Sequence, residues 1–506
     1  MTQAIKHLLS ALGYGLLGSI VVLVGIYAYL LNSRPALKVW HQAELDAEFS
    51  LARASEVQDL DDYLRLENQL FEQLDESVYQ RIAAEDRNDI NRYFPGSRMD
   101  PRTFPRNWNR TFVLVPENPR GGVLLLHGLS DSPYSLRALG EHLFKQGFLV
   151  LGLRIPGHGT APSGLLDVTW QDWSAAVDLA ARNVSAVIGP QRPLYLFGYS
   201  NGAALAVEYV LSVLEGEDLP SPEGLVLLSP AIGVSKVAAL AIWQSRLSWL
   251  TGLEKLAWNS IEPEFDPFKY NSFTVNAGDQ IFQLTGSINN RLQALQDRDA
   301  MAAFPRVLAF ISAVDATIPP ATLIDVLFSR LPENGSELVL FDANHNEESA
   351  LLLKAGLVRQ VRDALDRAHL SPFGLTVIKN AETETRQLIA RRWVVGHDGF
   401  VDTPIEISWP VGVIALSHLS IPFPPDDPLY GDIPAGDKRS RWIDIGSVAI
   451  KGERNLLQIP DNYFVRLRYN PFFSWLQQQI VAFVELGNEA GNPSLDTAQH
   501  QQQETR

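Results

Sequence analysis

The stretch LYLFGYSNGAALA at residues 194–206 decides the fold. Its first four residues predict a buried strand, and the alanine-rich run after Gly202 predicts a helix. Between them lies the pattern G-x-S-x-G, whose glycines permit a sharp turn and a close approach of strand and helix. The hydroxyl of Ser200 would then be exposed beside a helix N terminus, which favours developing negative charge. An ordinary glycine-rich turn is the alternative, because the pentapeptide alone is a weak motif.

Short apolar runs alternate with helical patterns on both sides of this stretch. Strands are predicted at 123–126, 148–151, 194–197, 225–228 and 307–311, and helices at 135–146, 170–187 and 202–214. Continuous apolar strands separated by helices are typical of a parallel sheet that is covered on both faces. The sequence therefore predicts an α/β fold with its functional site at the carboxyl ends of the strands.

The composition excludes several classes of protein. The 506 residues carry a formal net charge of −16 and include no cysteine. The acidic balance argues against a nucleic-acid partner, because phosphate contacts need a basic surface. The lack of cysteine excludes disulfides, thiolate metal sites and a cysteine nucleophile. The sequence contains no metal-ligand cluster and no phosphate-binding loop, so no cofactor is predicted. The oligomeric state is left open.

The N-terminal region contains an uncharged, apolar run at residues 8–31. About 20 apolar residues span a bilayer, so this run predicts a transmembrane anchor that contacts membrane lipid. A cleavable signal peptide is the alternative, but its apolar core would be about 7–15 residues long. Basic residues flank the run on both sides, so the side of the membrane is only weakly encoded.

The remaining chain divides at changes in pattern. Residues 32–110 predict a helical linker or spacer that packs on the main domain, and residues 487–506 a polar, disordered tail. Residues 111–230 and 305–486 predict the two parts of the α/β core. Between them, residues 231–304 are long enough for an inserted lid.

Four motifs resemble the monoglyceride lipase/carboxylesterase branch of the α/β-hydrolases, often labelled serine aminopeptidase-like. They are HGLSDSPYSL at 127–136, PGHG at 156–159, WQDW at 170–173 and GYSNG at 198–202. The resemblance implies an α/β-hydrolase fold with a mostly parallel sheet and helices on both faces, here with an inserted lid, a C-terminal extension and an N-terminal transmembrane helix. It also implies that the amides of Leu129 and Asn201 form the oxyanion hole. His127 is expected to bond to loop backbone rather than to act as a base.

The acid is predicted at Asp315, which follows the strand at 307–311 and precedes Pro319. A helix N-cap is its alternative role. Two histidines compete for the role of base, because the base follows the acid along the chain in this fold. His345 lies 30 residues after Asp315, the usual separation in the family that the sequence resembles.

His418 is the preferred base. It ends an apolar run at 411–416, predicted as a strand, and a helix up to residue 486 closes the fold. The stretch LSHLSIPFPPDDPLYG at 416–431 also resembles membrane-anchored bacterial hydrolases, in which this histidine is the base and residues 346–410 are an insertion. The predicted triad is Ser200, Asp315 and His418, with His345 as the competing base.

The predicted activity is cleavage of carboxylic esters through an acyl-enzyme on Ser200, with a lipid-like or other acyl ester as the small-molecule substrate. The insertion at 231–304 is rich in aromatic residues, which would either accept acyl chains or form the insertion's own core; they are Trp243, Trp249, Trp258, Phe265, Phe268 and Tyr270. A peptidase or amidase with the same triad is the close alternative, and a non-catalytic, membrane-anchored binding protein is another. The expected location is a bacterial inner membrane, with the periplasmic side slightly favoured.

Overall fold

A computed structural model describes residues 33–233, 254–315, 317–345, 372–382, 384–393, 399–433 and 466–490, together with part of the segment before residue 33. Its strands are β1 (Phe112–Leu114), β2 (Gly122–Leu126), β3 (Leu149–Leu153), β4 (Leu194–Tyr199), β5 (Gly224–Leu228), β6 (Trp258–Ser260), β7 (Phe273–Thr274), β8 (Arg306–Ser312), β9 (Glu337–Phe341), β10 (Gly374–Asn380), β11 (Gln387–Trp393) and β12 (Val401–Ser408). Its α-helices are α1 (Val39–Gln42), α2 (Leu60–Ser77), α3 (Arg137–Lys145), α4 (Trp170–Ile188), α5 (Asn201–Leu214), α6 (Val275–Asp297), α7 (Pro320–Val326) and α8 (Phe473–Ala490).

Ten strands form one sheet in the order β1-β3-β2-β4-β5-β8-β9-β10-β11-β12. The strands from β3 to β10 pair in parallel, whereas β1, β11 and β12 pair antiparallel at the two edges. Every residue of β2, β3, β4 and β5 is buried, as expected for strands covered on both faces. The predicted α/β fold with a mostly parallel sheet is confirmed.

Successive residues of a central strand belong to two different hydrophobic cores. In β2, Leu124 and Leu126 lie in one core, while Val123 and Leu125 lie in the other. This division follows from the pleat, which points neighbouring side chains to opposite faces of the sheet. Helices α4, α5 and α6 contribute to the first core, and α3 and α8 to the second. The carboxyl ends of the parallel strands therefore emerge between two packed layers.

The segment before β1 is fixed to the core rather than being a loose linker. It is less helical than predicted, with α1, α2 and short 3-10 turns. The guanidinium of Arg154, at the end of β3, pairs with Glu48 at 2.8 Å and with Glu67 at 3.1 Å. At the start of the segment, Arg34 donates to the carbonyls of Lys255 and Trp258 at 2.9 and 2.7 Å. Hydrogen bonds at the start of this segment and ion pairs in its middle thus tie it to later parts of the chain.

Two expectations concern the C-terminal half of the chain. Residues 346–410, predicted as an insertion, include strands β10, β11 and β12, which extend the main sheet beyond β9. The predicted strand at 411–416 is wrong, because residues 411 and 412 form a turn and residues 413–416 belong to no strand or helix. Only part of the run is buried, since Leu416 is 2% exposed whereas Val411 is 84% exposed. The apolar composition of this run therefore indicated neither a strand nor uniform burial.

Other expectations fall partly or wholly outside the described residues. These are most of the span at 8–31, residues 234–253 of the insertion at 231–304, residues 346–371 of the insertion at 346–410, and the tail from 491. Within the part of the chain that the structure describes, no helix combines the length and apolar character needed to cross a bilayer.

The Arg154 network gives a prediction about stability. Replacing Arg154, which is 1% exposed, with methionine leaves Glu48 and Glu67 without their shared cation. We expect Arg154→Met to lower the free energy of unfolding by about 3–5 kcal/mol, because an uncompensated buried charge is costly. Urea denaturation measures the change.

The control for this prediction is Arg392→Met, which removes an exposed pair with Glu337. That change should cost only about 0–1 kcal/mol, since solvent screens exposed ion pairs. Similar losses for the two variants would contradict an essential role for the buried network.

Candidate active site

The turn between β4 and α5 presents Ser200 in a strained backbone conformation. Ser200 has φ of +53°, a left-handed value that is uncommon for residues other than glycine. Its N–H donates to the carbonyl of Leu228 at 2.9 Å, and its own carbonyl accepts from Ala203 and Ala231 at 3.1 and 3.0 Å. These bonds to β5 and α5 stabilise the strained turn, a combination that is common at functional sites.

The glycines of the G-x-S-x-G pattern are required by close contacts between backbones. A Cβ on Gly202 would lie 2.0 Å from the carbonyl oxygen of Leu126. A Cβ on Gly198 would lie 2.4 Å from the nitrogen of Ala203. Both distances are far below van der Waals contact, so only glycine permits α5 to approach β2 and β4 this closely. The predicted sharp turn is confirmed, and the alternative of an ordinary turn is not.

The structure brings Ser200, His418 and Asp315 together. His418 Nε2 lies 3.0 Å from Ser200 Oγ, and His418 Nδ1 lies 2.8 Å from Asp315 Oδ2. The side chain of Asp315 is fully buried, and that of His418 is 8% exposed. This is the order nucleophile, base and orienting carboxylate that characterises a serine hydrolase triad.

Asp315 is held by more than the imidazole. Its Oδ1 accepts the N–H groups of Thr317 and Ile318 at 2.8 and 3.0 Å, which leaves Oδ2 for His418. Helix α7 has its N-cap at Pro319, so the alternative role of Asp315 as that cap is wrong. Three hydrogen bonds thus fix the carboxylate and select the Nδ1–H tautomer of the histidine.

His418 lies in a turn that residues distant in sequence hold in place. The neighbouring Ser417 hydroxyl donates to the carbonyl of Leu467 at 2.6 Å. The N–H of Asn344 donates to the carbonyl of Ile414 at 2.8 Å, just before that turn. Sequence analysis missed these supporting residues, because nothing in the local pattern relates positions so far apart in the chain.

His345 is engaged elsewhere. Its Nε2 contacts Asp342 at 3.2 Å, and its N–H donates to Asn380 Oδ1 at 3.0 Å. The hydrogen bond with Asp342 raises the pKa of His345, so this imidazole has a carboxylate partner of its own. The structure therefore places His418, and not His345, between Ser200 and Asp315.

The two amides predicted for the oxyanion hole lie at the same edge of the sheet. Leu129 follows β2, Asn201 begins α5, and β2 pairs with β4 in parallel. The close contact between Gly202 and Leu126 joins the two loops. Within the described part of the chain, neither N–H has a hydrogen-bond acceptor. Both donors remain available for a negatively charged oxygen.

His127 has a structural role, as expected. Its Nε2 accepts the N–H of Ile155 at 3.0 Å, and its Nδ1 lies 2.9 Å from the carbonyl of Gly128. Burial lowers the pKa of His127 well below its usual value, and burial also lowers that of His158 in the PGHG loop to about 4. These two neutral imidazoles shape the loops beside Ser200. In the described residues no group of acidic or histidine side chains could hold a metal ion.

Of the six aromatic residues named for the insertion at 231–304, the four that the structure describes are buried. Trp258, Phe265, Phe268 and Tyr270 are each at most 3% exposed. The ring of Phe268 stacks on Tyr134 with centroids 4.2 Å apart. These residues pack against the rest of the protein and not in a core of the insertion's own, since Phe265 and Phe268 share a hydrophobic cluster with Tyr134, and Trp258 contacts His41. Trp243 and Trp249 lie outside the described residues.

Comparisons with known proteins identify a family model and a curated relative that match this chain. Residues 117–343 match the family model for serine aminopeptidase S33. The chain is similar to a thermostable monoacylglycerol lipase from Bacillus sp. (strain H-257), with 26% identity over 223 residues, covering 44% of this chain and 81% of that protein.

Two solved structures are also similar. A monoacylglycerol lipase from Paleococcus ferrophilus has 20% identity, covers 50% of this chain and 98% of its own, and gives a TM-score of 0.34. A soluble variant of monoglyceride lipase from Saccharomyces cerevisiae has 16% identity, covers 46% and 82%, and gives 0.35. The family match and the Bacillus relative support an ester-cleaving serine hydrolase with the α/β-hydrolase fold.

The close contact at Gly202 gives a prediction. Gly202→Ala would push a methyl group into the carbonyl of Leu126, so we expect a loss of at least about 1–3 kcal/mol from the free energy of unfolding. Thermal and urea denaturation measure it. Gly286→Ala is the control, because Gly286 is exposed in α6 with nothing within 4 Å of its Cβ position. That variant should gain about 0.5–1 kcal/mol from helix propensity. Unchanged stability of Gly202→Ala would refute the required close approach.

Proposed function

We propose that this chain, an α/β-hydrolase of the monoglyceride lipase branch, cleaves carboxylic esters through an acyl-enzyme on Ser200. The observation that carries the proposal is the continuous hydrogen-bond chain from Ser200 through His418 to Asp315, with distances of 3.0 and 2.8 Å. Spacings of this size allow the imidazole to take the proton from the hydroxyl as it attacks the ester carbonyl.

The reaction has two halves. In the first, Ser200 Oγ bonds to the carbonyl carbon, His418 Nε2 accepts its proton, and the negative charge on the carbonyl oxygen is stabilised by the Leu129 and Asn201 amides. Collapse of this intermediate expels the alcohol, which receives the proton from His418. In the second half, His418 deprotonates water, which attacks the carbonyl carbon of the acyl-enzyme. The bond to Ser200 Oγ then breaks, His418 returns the proton to that oxygen, and the carboxylic acid is released. Asp315 keeps the imidazole oriented and stabilises its protonated form in both halves.

The substrate class is inferred from relatives and from sequence. The Bacillus relative is a monoacylglycerol lipase, which favours an ester of a fatty acid and a small alcohol for this chain. The apolar stretch ALAIWQSRLSWL at 239–250, in the proposed lid at 231–304, suits an acyl chain. The family description, serine aminopeptidase, makes amide cleavage the second candidate.

The triad gives a prediction about activity. Ser200→Ala and His418→Ala should each lower kcat/KM for p-nitrophenyl butyrate about 10³-fold or more, because each removes the proton-transfer chain. His345→Ala is the control and should stay within about threefold of the natural protein, since His345 pairs with Asp342.

Labelling separates chemistry from folding. A fluorophosphonate probe should modify the natural protein and His345→Ala, but not Ser200→Ala. Loss of activity in His345→Ala with retention in His418→Ala would overturn the assigned base. Rapid hydrolysis of aminoacyl p-nitroanilides with no turnover of esters would favour the amidase instead.

We also propose that residues 8–31 anchor the protein as a single span, in a bacterial inner membrane with the catalytic domain on the periplasmic side. The support is the length of the uncharged apolar run. We expect the full chain to sediment with membranes after a carbonate wash and to be released by detergent. A variant that lacks residues 1–31 should remain in the supernatant with ester hydrolysis intact. Recovery of the full chain in the supernatant would contradict the anchor.

A further inference from the structure

An ion pair joins the insertion at 231–304 to the loop that carries the Leu129 amide. Lys269 Nζ lies 2.7 Å from Asp131 Oδ1, and the two side chains are 17% and 7% exposed. The next residue along, Tyr270, donates its N–H to the carbonyl of Ser130 at 2.8 Å. Two adjacent residues of the insertion therefore contact two adjacent residues of the loop that follows β2 and carries the Leu129 amide, which we call the oxyanion loop.

The carboxylate of Asp131 lies directly over the beginning of that loop. Asp131 Oδ2 is the nearest atom to the Cβ position of Gly128, at 2.6 Å, and the ring of Tyr199 lies near the same position at 3.0 Å. The N–H of Asp131 donates to the carbonyl of Gly128 at 3.1 Å, which closes a tight turn around Leu129. The negative group is thus held within one short turn of an amide assigned to the oxyanion.

A buried carboxylate at this place opposes the proposed chemistry unless its charge is cancelled. The intermediate of ester cleavage places a negative charge on the oxygen that the Leu129 amide binds, and like charges repel strongly where water is scarce. Burial raises the pKa of Asp131, and Lys269 acts in the opposite direction by favouring the ionised form. Lys269 therefore opposes the effect of burial and offsets the negative charge of the Asp131 carboxylate.

We propose that Lys269 is a positioning residue for the oxyanion hole, which neutralises Asp131 and so allows the Leu129 amide to stabilise the oxyanion. The proposal rests on the proposed ester hydrolysis. It extends the reaction machinery to the insertion, which supplies the cation that the oxyanion loop lacks. If the ion pair only held the loop in place, removing the Asp131 carboxylate as well would not restore the activity lost with Lys269. If Lys269 neutralises Asp131, the unpaired carboxylate lowers kcat once Lys269 is replaced, and removing that carboxylate restores kcat.

The experiment is a double-mutant cycle on p-nitrophenyl butyrate hydrolysis. We expect Lys269→Met to lower kcat about 10–100-fold with KM nearly unchanged, because the oxyanion exists only after substrate is bound. Adding Asp131→Asn to that variant should restore kcat to within about threefold of the natural protein, since both charges are then absent. Lys269→Arg, which keeps the charge, should retain most of the activity.

The matched control is Lys38→Met. Lys38 forms a partly buried pair with Asp86, also at 2.7 Å, among residues that the mechanism does not use. Its removal should leave kcat unchanged. The rate of fluorophosphonate labelling is a second readout, because the probe's phosphoryl oxygen occupies the same hole, and thermal unfolding reports whether each variant folds. If Lys269→Met does not fold, Lys269→Gln replaces it in the cycle.

Two results would overturn the inference while leaving ester hydrolysis intact. One is an unchanged kcat in folded Lys269→Met. The other is a double variant no faster than Lys269→Met, which would make the ion pair a structural contact. If the natural protein neither hydrolyses esters nor reacts with the probe, the proposed function itself fails, and the role of Lys269 fails with it.

Discussion

The contact between the backbone of α5 at Gly202 and the end of β2 at Leu126 is the constraint on which the site depends. It forces a glycine, bends the chain sharply after β4 and leaves Ser200 with a left-handed φ of +53°. The same contact joins the loop that contains Leu129 to the N terminus of α5. Nucleophile and oxyanion donors are therefore positioned by rigid elements, which reduces the reorganisation needed during reaction.

The imidazole is positioned by different means. His418 follows no strand, and its turn is fixed by bonds to Leu467 and Asn344, which come from two other parts of the chain. Asp315 adds a buried carboxylate with three accepted hydrogen bonds. Ser200 and the oxyanion amides are thus positioned by residues close to them in sequence. His418, in contrast, reaches its position only when the C-terminal part of the chain is folded.

This difference explains what could be predicted from sequence. The α/β alternation and the turn at Ser200 depend on apolar runs and glycines within a few residues, so the pattern identified them. The strand expected at 411–416 was wrong because an apolar run does not by itself establish pairing with a neighbouring strand, and Val411 in this run is 84% exposed. The choice between His345 and His418 could not be made from spacing, since tertiary contacts decide which imidazole reaches Ser200. The pairing of Lys269 with Asp131 gave no signal, because opposite charges 138 residues apart carry no local pattern.

The segment before β1 is attached to the α/β domain at several points, which decides whether it can act as a linker. A flexible linker would allow the α/β domain to take many orientations relative to the part of the chain before the linker. Here Arg34 donates hydrogen bonds to the carbonyls of Lys255, Trp258 and Asn259. Glu48 and Glu67 form ion pairs with Arg154 at the end of β3. The segment from Arg34 onward is therefore part of the folded domain and does not act as a flexible linker.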